Sequence, residues 1–580
     1  MRTIVKIDIN YIHILKGYNK TMDIPSYHLN FVKEGFDENG ILNKFEITYP
    51  ENFNFSYDII DKYAEIEPDR RALMWVDLEG NERTFTFGDL SRLSTKAANM
   101  FTAMGIKKGD HVMLVLKRNY QFWYVIIALL KIGAIAIPAT HLLTTKDFVY
   151  RFEAADVKAV IATSHADVSH YVEEADEKLG GCLKAKYIVN GTRDGWTTFD
   201  EEIEKYPETM ERVPTRWDDI FLMYFTSGTT GYPKMVIHDH TYALAHIQTA
   251  KHWHNVDPDG IHLTISDTGW GKAAWGKMYG QLIMGTCVFV YDFDKFIPEN
   301  MLAVMEKYKI TTFCAPPTMF RFFIKTGLGS YDLSSLKYCT IAGEALNPEV
   351  YNKWLEFTGI KLMEGFGQTE SALILANTIG MTPKPGSMGR PTPLYDVVLV
   401  DADGDEVPVG ETGEICLRGE YTNTRGLCRG YYRNKEITDE TWHDGLYHTG
   451  DTAWMDEDGY YWYVGRNDDV IKASGYRIGP FEIESVLIAH PAVLECAVTG
   501  APHPIRGMVV KATIVLAKGY TASDELVKEL QDHVKKNTAP YKYPRIVEFV
   551  GELPKTISGK IKRGEIRKRD IEKYNAENPL

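Results

Sequence analysis

Residues 111–137 read HVMLVLKRNYQFWYVIIALLKIGAIAI. The run HVMLVL at 111–116 has the length and apolar content of a buried strand. Phe122–Ile137 is the most apolar run of the chain, broken by Lys131, weakened as a single helix by Gly133 and stopped by Pro138. It falls short of the roughly 18–20 uninterrupted apolar residues of a membrane span, so it predicts a buried helix running into a buried strand. Strand, helix, strand in so short a stretch is the building unit of a parallel sheet.

The same texture extends along the chain. AVIAT (159–163), KYIVN (186–190), CVFVY (287–291), TTFCAPP (311–317) and KYCTIAG (337–343) are short apolar runs between helical patterns, which is the signature of a doubly wound α/β fold over about residues 56–400. From Tyr395 the pattern changes. YDVVLVDADGDEVPVGETGEICLRG (395–419) has strands separated by Asp-Gly and Gly turns, as in an antiparallel β subdomain. Beyond Gly465 a compact α+β pattern follows. MVVKATIVLA (508–517) and PRIVEFVGELP (544–554) read as strands, and Ser523–Asn537 reads as a helix with Leu526, Val527, Leu530 and Val534 on one face.

Length and composition agree with several domains. The chain has 580 residues, 44% hydrophobic and 25% charged, ordinary globular values. Net charge is −14, which disfavours a dedicated nucleic-acid binder. It is unevenly spread: residues 501–580 hold 16 Lys+Arg and 10 Asp+Glu, a net of +6, which leaves 49 and 69 for residues 1–500, a net of −20. The seven cysteines are scattered, with no C-x-x-C and no zinc-ligand spacing, so they read as reduced thiols. The apolar cluster Tyr11–Leu15 lacks the core and cleavage site of a signal peptide, and Asp8 with few arginines argues against a transit peptide. A cytoplasmic location is expected, with residues 1–45 an N-terminal extension apart from the functional chain.

The strongest chemical signal is TSGTTGYPK at 226–234, after the apolar IFLMYF. Two glycines let backbone approach a ligand closely, the hydroxyls of Thr226, Ser227, Thr229 and Thr230 can donate, and Lys234 adds charge. A strand feeding such a loop is a phosphate cradle, although the Walker A spacing is absent.

YFTSGTTGYPK resembles the phosphate loop of the adenylate-forming superfamily: acyl-CoA synthetases, peptide-synthetase adenylation domains and luciferases. Five further motifs follow in the family's order: AGEAL (342–346), EGFGQTE (364–370), YHTGD (447–451), GRNDDVIKASGYRI (465–478) and PKTISGKIKR (554–563). The likeness runs from about residue 46 to 575. It implies an N-terminal adenylation domain over 46–465, itself of doubly wound α/β subdomains plus a β subdomain, and a small mobile α+β C-terminal domain over 466–580.

The resemblance also implies roles. ATP would be held by Thr226, Ser227, Gly228, Thr229, Thr230, Gly231 and Lys234; by Gly343 and Glu344 beside the adenine; by Glu364, Gly365, Phe366, Gly367, Gln368 and Thr369; by Asp451 on the ribose; and by Arg466, Arg477 and Lys560. Glu370 would hold Mg²⁺. A carboxylate is a poor electrophile, and its transfer to AMP with release of pyrophosphate creates a reactive anhydride. That step needs positioning and countercharge more than covalent catalysis. Thr226, Glu370 and Lys560 would supply these, with Lys560 bridging carboxylate and α-phosphate. Asp468 falls at the family's hinge position.

The C-terminal half is most similar to the medium-chain acyl-CoA synthetases, in SGYRIGPFEIESVL (474–487), HPAVLECAV (490–498), RGMVVKA (506–512) and APYKYPR (539–545). By that likeness Ser474, Gly475, Tyr476, Arg506, Lys535, Tyr543 and Arg545 would contact CoA, a polyanion suited to the basic C-terminus. Acetate-using relatives place a Trp directly before Gln-Thr-Glu, where this chain has Gly367, so a medium-chain, branched or aromatic acid is expected. Trp270, Lys272, Trp275 and Cys314 are the other candidate acyl-pocket residues, Lys272 being unusual among them. The activity implied is an ATP-dependent acyl-CoA synthetase with ATP, Mg²⁺ and CoA, working as a monomer or homodimer without nucleic acid or a membrane span. A carrier-loading acyl-AMP ligase, a short-chain CoA ligase and a non-catalytic nucleotide-binding protein are the alternatives.

Overall fold

The structure is a computed structural model that describes residues 23–226, 232–343, 346–473, 476–504, 506–556 and 560–577, with backbone alone for Tyr476 and Arg477. Two large mixed sheets form the body. In the seven-stranded sheet, His111–Val115 lies between Ile135–Pro138 and Val157–Thr163, all parallel. Gln121–Ile132 is the helix that returns the chain, and every one of its residues is buried. The left-handed Gly133 (φ 69°) ends it, a conformation glycine adopts without strain. The quoted opening stretch is therefore the central β–α–β unit. At one edge Ile220–Thr226 turns back as an antiparallel pair with Lys234–Asp239, Thr226 opposite Lys234. The phosphate-loop sequence thus starts and ends on paired antiparallel strands, at Thr226 and Lys234.

The nine-stranded sheet carries the other predicted runs: Ile261–Thr264, Cys287–Asp292, Thr312–Ala315, Tyr338–Ile341 and Leu362–Phe366 are parallel neighbours. Helices from both sheets bury one continuous apolar core. The antiparallel sheet of Asp396–Val400, Thr412–Arg418, Leu446–Met455 and Tyr461–Arg466 follows, and a separate small core lies under Val493–His503, Gly507–Leu516 and Ile546–Val550. Ser523 caps the helix Asp524–Asn537, which buries Leu526, Leu530 and Val534, while Val527 stays half-buried.

One expectation fails. Residues 24–45 are no appendage: Ile24, Phe31, Val32, Leu42 and Phe45 belong to the main core. The hairpin Val32–Phe36 with Leu42–Ile47 brings in Glu34, whose carboxylate accepts from Lys251 Nζ at 2.6 Å and meets His252 Nε2 at 2.7 Å. Burial would raise that carboxyl, but His252 and Lys251 hold it down to about 2.

Candidate active site

The chemistry-bearing residues converge where the strand Leu362–Phe366 ends. Its turn places Gln368 so that Nε2 donates to Thr449 O at 2.7 Å and to Asp451 Oδ2 at 2.5 Å. Asp451 is aimed by a bulge. Between Glu414 and Cys416 the chain advances two residues while the partner strand runs from Thr452 to His448, four residues, so Thr449–Asp451 bow out of the ladder and re-aim their side chains. Tyr463 Oη donates to Asp451 Oδ1 at 2.8 Å, and Arg466 Nη1 reaches Oδ2 at 3.3 Å. Burial still raises the Asp451 carboxyl, against the pull of Arg466, Tyr463, Gln368 and Lys560.

Glu370 is half-buried beside this cluster. Its Oε1 accepts from Tyr431 Oη at 3.1 Å, and Lys234 Nζ lies 5.1 Å above the Tyr431 ring. Burial raises the Glu370 carboxyl, opposed by Tyr431, Arg466 and Lys234. An approaching cation would relieve that penalty, so the donor set fits Mg²⁺, a hard ion that prefers carboxylate oxygen. Glu364 is more extreme. Its Oε2 has no partner among the described residues, and burial pushes the carboxyl up to about 8. Thr369 presents its carbonyl to His238 Nε2 at 2.9 Å. Phe366 stacks near Tyr463 at 6.1 Å. A Cβ on Gly365 would come within 2.6 Å of the Trp253 indole.

Gly367 corrects an expectation. The missing indole at this position leaves no void, because a Cβ here would overlap the Trp275 ring. Trp275, from the helix Gly271–Lys277, fills the space from the opposite wall. It is buried against Trp253 and His246. Lys272, on the same helix, points its Nζ to Ala342 O at 2.9 Å, next to Gly343 (φ 100°). Trp270, half-buried, precedes the helix, and Cys314 is buried in the main core.

Arg466 closes the last strand of the β sheet and Asp468 occupies the turn that follows, half-exposed. The next residue, Asp469, is held by Arg563 and Arg567. Arg563 also makes a forked contact with buried Glu484, at 2.7 and 2.9 Å from Nη2. Lys560 lies three residues before Arg563, on a hairpin bridged by Lys555 and Ile561. It is exposed and acts electrostatically on Asp451. Thr226 ends the strand Ile220–Thr226, opposite Lys234.

On the terminal domain, Arg506, Tyr543 and Arg545 line one surface cavity together with Ala473, Met508 and Tyr541. Arg545 Nη1 donates to Tyr543 Oη at 2.7 Å, and Lys535 Nζ lies 4.4 Å from the Tyr543 ring. Ser227, Gly228, Thr229, Thr230, Gly231, Glu344, Ser474 and Gly475 lie outside the described residues, as do the side chains of Tyr476 and Arg477. Sequence reading missed Tyr431, Tyr463 and Tyr447, whose hydroxyls bond Glu370, Asp451 and Gln368. Tyr447 sits inside the YHTGD motif, but a phenol beside a motif carries no pattern of its own.

Comparison with known proteins agrees with this geometry. The family described as "AMP-binding enzyme" matches residues 60–432, and "AMP-binding enzyme C-terminal domain" matches 482–560. The human "Acyl-coenzyme A synthetase ACSM3, mitochondrial" is 42% identical over 536 residues, covering 91% of each chain. The rat "Acyl-coenzyme A synthetase ACSM5, mitochondrial" is 43% identical over 533 residues, covering 90% of this chain and 91% of the relative. Among solved structures, the anthranilate CoA ligase AuaEII in complex with anthranoyl-AMP superposes with a TM-score of 0.82 at 29% identity, over 91% of this chain and 99% of that one. A benzoate CoA ligase from Burkholderia xenovorans LB400 gives 0.77 at 26%, over 89% and 100%. By fold, site and sequence, this chain belongs to the AMP-binding enzyme family.

Proposed function

We propose that this enzyme is an ATP-dependent, AMP-forming acyl-CoA synthetase for a medium-chain, branched or aromatic carboxylic acid. The observation that carries the reading is the meeting of two upward-shifted carboxylates, half-buried Glu370 and buried Asp451, with Arg466 and Lys234 beside them and the charge of Lys560, from the C-terminal part of the chain, acting on Asp451. Asp451 would accept from the ribose hydroxyls, in a position fixed by Gln368, Tyr463 and Arg466. Glu370 would hold Mg²⁺, which when bound neutralises phosphate charge. Lys560 would bring its ammonium to the carboxylate and α-phosphate as negative charge builds there, and Lys234 would face the leaving pyrophosphate. The thioester-forming step would use the Arg506–Tyr543–Arg545 cavity, whose two guanidiniums suit the phosphates of CoA. The acid's carbon chain would lie against the helix Gly271–Lys277, which carries both Trp275 and Lys272.

The supports are the 42–43% identity to the ACSM relatives over nine-tenths of the chain and the likeness to aryl-CoA ligases. The test is pyrophosphate release and acyl-CoA formation with ATP, Mg²⁺ and CoA over straight acids of two to ten carbons, isobutyrate and benzoate. Activity with acetate alone would overturn the acid class. Pyrophosphate release without thioester from free CoA would favour a carrier-loading ligase. We propose a cytoplasmic location; recovery of the tagged full chain from purified mitochondria would reverse that assignment.

A further inference from the structure

Behind the bulge that aims Asp451, three potential ligands meet on one face of the β sheet. Cys416 and His448 are direct partners across the antiparallel pair. Glu414 precedes Cys416 by two residues and so leaves the same face. Cys416 Sγ lies 3.4 Å from His448 Nδ1, and that nitrogen lies 3.2 Å from Glu414 Oε2. All three donor atoms fall within 4.8 Å of one another. Bond lengths of about 2.3 Å to sulfur and 2.0–2.2 Å to nitrogen and oxygen, at tetrahedral angles, separate ligand atoms by about 3.4–3.6 Å. The observed separations at Nδ1, 3.4 and 3.2 Å, are within a few tenths of an ångström of those of ligands around one ion.

His448 Nδ1 cannot pair with the thiol and the carboxylate at once. An imidazole nitrogen can carry one proton or accept one. If Nδ1–H donates to Glu414, it cannot accept from the thiol; if it accepts from the thiol, it meets the Glu414 oxygen lone pair to lone pair. A cation at the centre would satisfy all three. The orienting contacts are also present. Glu414 Oε1 accepts from Gly450 N–H at 2.7 Å and the Asn467 side chain bonds the same carboxylate, which leaves Oε2 turned toward the pair. Cys416 is rooted in a small apolar cluster with Val398 and Val400, while Glu414 and His448 stay half-buried and open the fourth position to water.

We propose that Glu414 Oε2, Cys416 Sγ and His448 Nδ1 form a three-ligand site for a zinc-class divalent cation. Mixed sulfur, nitrogen and oxygen donors select borderline ions such as Zn²⁺ and Co²⁺ over Mg²⁺. Binding releases the Cys416 proton to solvent. Through Glu414, Gly450 and Asn467 the site touches both the Asp451 loop and the residue before Asp468, so occupancy would stiffen the backbone that positions the nucleotide site.

The test uses the full chain without a metal-binding tag, carrying Cys182→Ser to remove the exposed thiol. Titration with Co²⁺ is expected to give one equivalent bound, with a thiolate-to-cobalt charge-transfer band that Zn²⁺ abolishes. Cys416→Ser should remove the band, and His448→Gln should weaken Co²⁺ binding at least tenfold. No band at millimolar Co²⁺, or an undiminished band in Cys416→Ser, overturns the site. Circular dichroism without metal checks that each variant folds. Should Cys416→Ser fail to fold, the half-buried Glu414→Gln and His448→Gln variants decide the matter by the Co²⁺ dissociation constant, and an unchanged constant in both overturns the proposal.

Discussion

Two buried acidic clusters lie in the large domain, and their electrostatics are opposite. At the N-terminal hairpin, Glu34 is enclosed by Lys251 and His252 and its carboxyl is held down to about 2. At the site, Glu364 is pushed up to about 8, and Glu370 and Asp451 are raised despite neighbouring cations. Burial raises all four; the difference is close charged partners, since Glu34 meets Lys251 and His252 at 2.6 and 2.7 Å while Asp451 has one cation at 3.3 Å and Glu370 is bonded by a neutral phenol. The hairpin cluster is complete in itself and serves as a clamp. The site cluster is short of positive charge, which is the condition of a surface built to receive a cation and a hydroxyl-rich ligand.

Several measurements press on this contrast. The largest effect belongs to Lys560→Ala. Removing the one mobile cation should cut acyl-adenylate formation by about 10²–10³-fold while thioester formation from supplied acyl-AMP is largely kept; equal loss in both half-reactions would deny Lys560 its place in the first. Next comes the clamp. Glu34→Ala strands Lys251 and His252 beside an emptied site and should destabilise the large domain by about 3 kcal/mol, read as a lower first thermal transition. Because the folded value of Glu34 is depressed, its contribution is present above the unfolded value of 4.5 and is lost as pH falls toward 2. The gap between wild type and Glu34→Gln should therefore close over that window; a gap independent of pH would remove the ion pair from the account.

Glu364 should show the reverse sign. Its folded value is raised, so its stabilising effect is full below 4.5 and declines as pH rises toward 8, at up to about 1.4 kcal/mol per pH unit. Glu364→Gln should flatten that slope, and an unaltered slope would mean the carboxyl ionises freely. The smallest effect concerns the pocket. Trp275→Leu should move acid preference toward longer chains by about tenfold in kcat/KM. Gly367→Trp should lower activity with every acid, because its ring and that of Trp275 claim one volume; a clean shift to acetate would show that Trp275 swings aside.

How legible this was depended on the kind of pattern involved. HVMLVL, AVIAT and CVFVY were readable as strands because full burial on both faces writes a continuous apolar run. Val32–Phe36 was not: VKEGF carries two charges and a glycine, and only pairing with Leu42–Ile47 and the seat for Glu34 make it part of the core. EGFGQTE and YHTGD marked the site because motif residues are contiguous. Two of its three phenols, Tyr431 and Tyr463, came from elsewhere in the chain. Gly367 misled for a related reason. A residue type says what one wall lacks, whereas the indole that fills the gap comes from the other wall. The trio of Glu414, Cys416 and His448 escaped a search for ligand spacing because sheet register, not sequence interval, sets the two strands side by side.

The forked grip of Arg563 on Glu484, with Arg563 and Arg567 both on Asp469, has a mechanical consequence. These contacts weld the base of the helix Arg563–Glu577 to the residue beside Asp468, and Lys560 stands just before that helix. With the turn after Arg466 as the proposed hinge, the lysine would be the tip of a crank. A twist of the backbone there cannot leave the ammonium behind, and a few degrees at the axle become a much larger sweep at the tip. The protein would need no separate signal to withdraw its countercharge: a rotation that turned the basic domain would retract it.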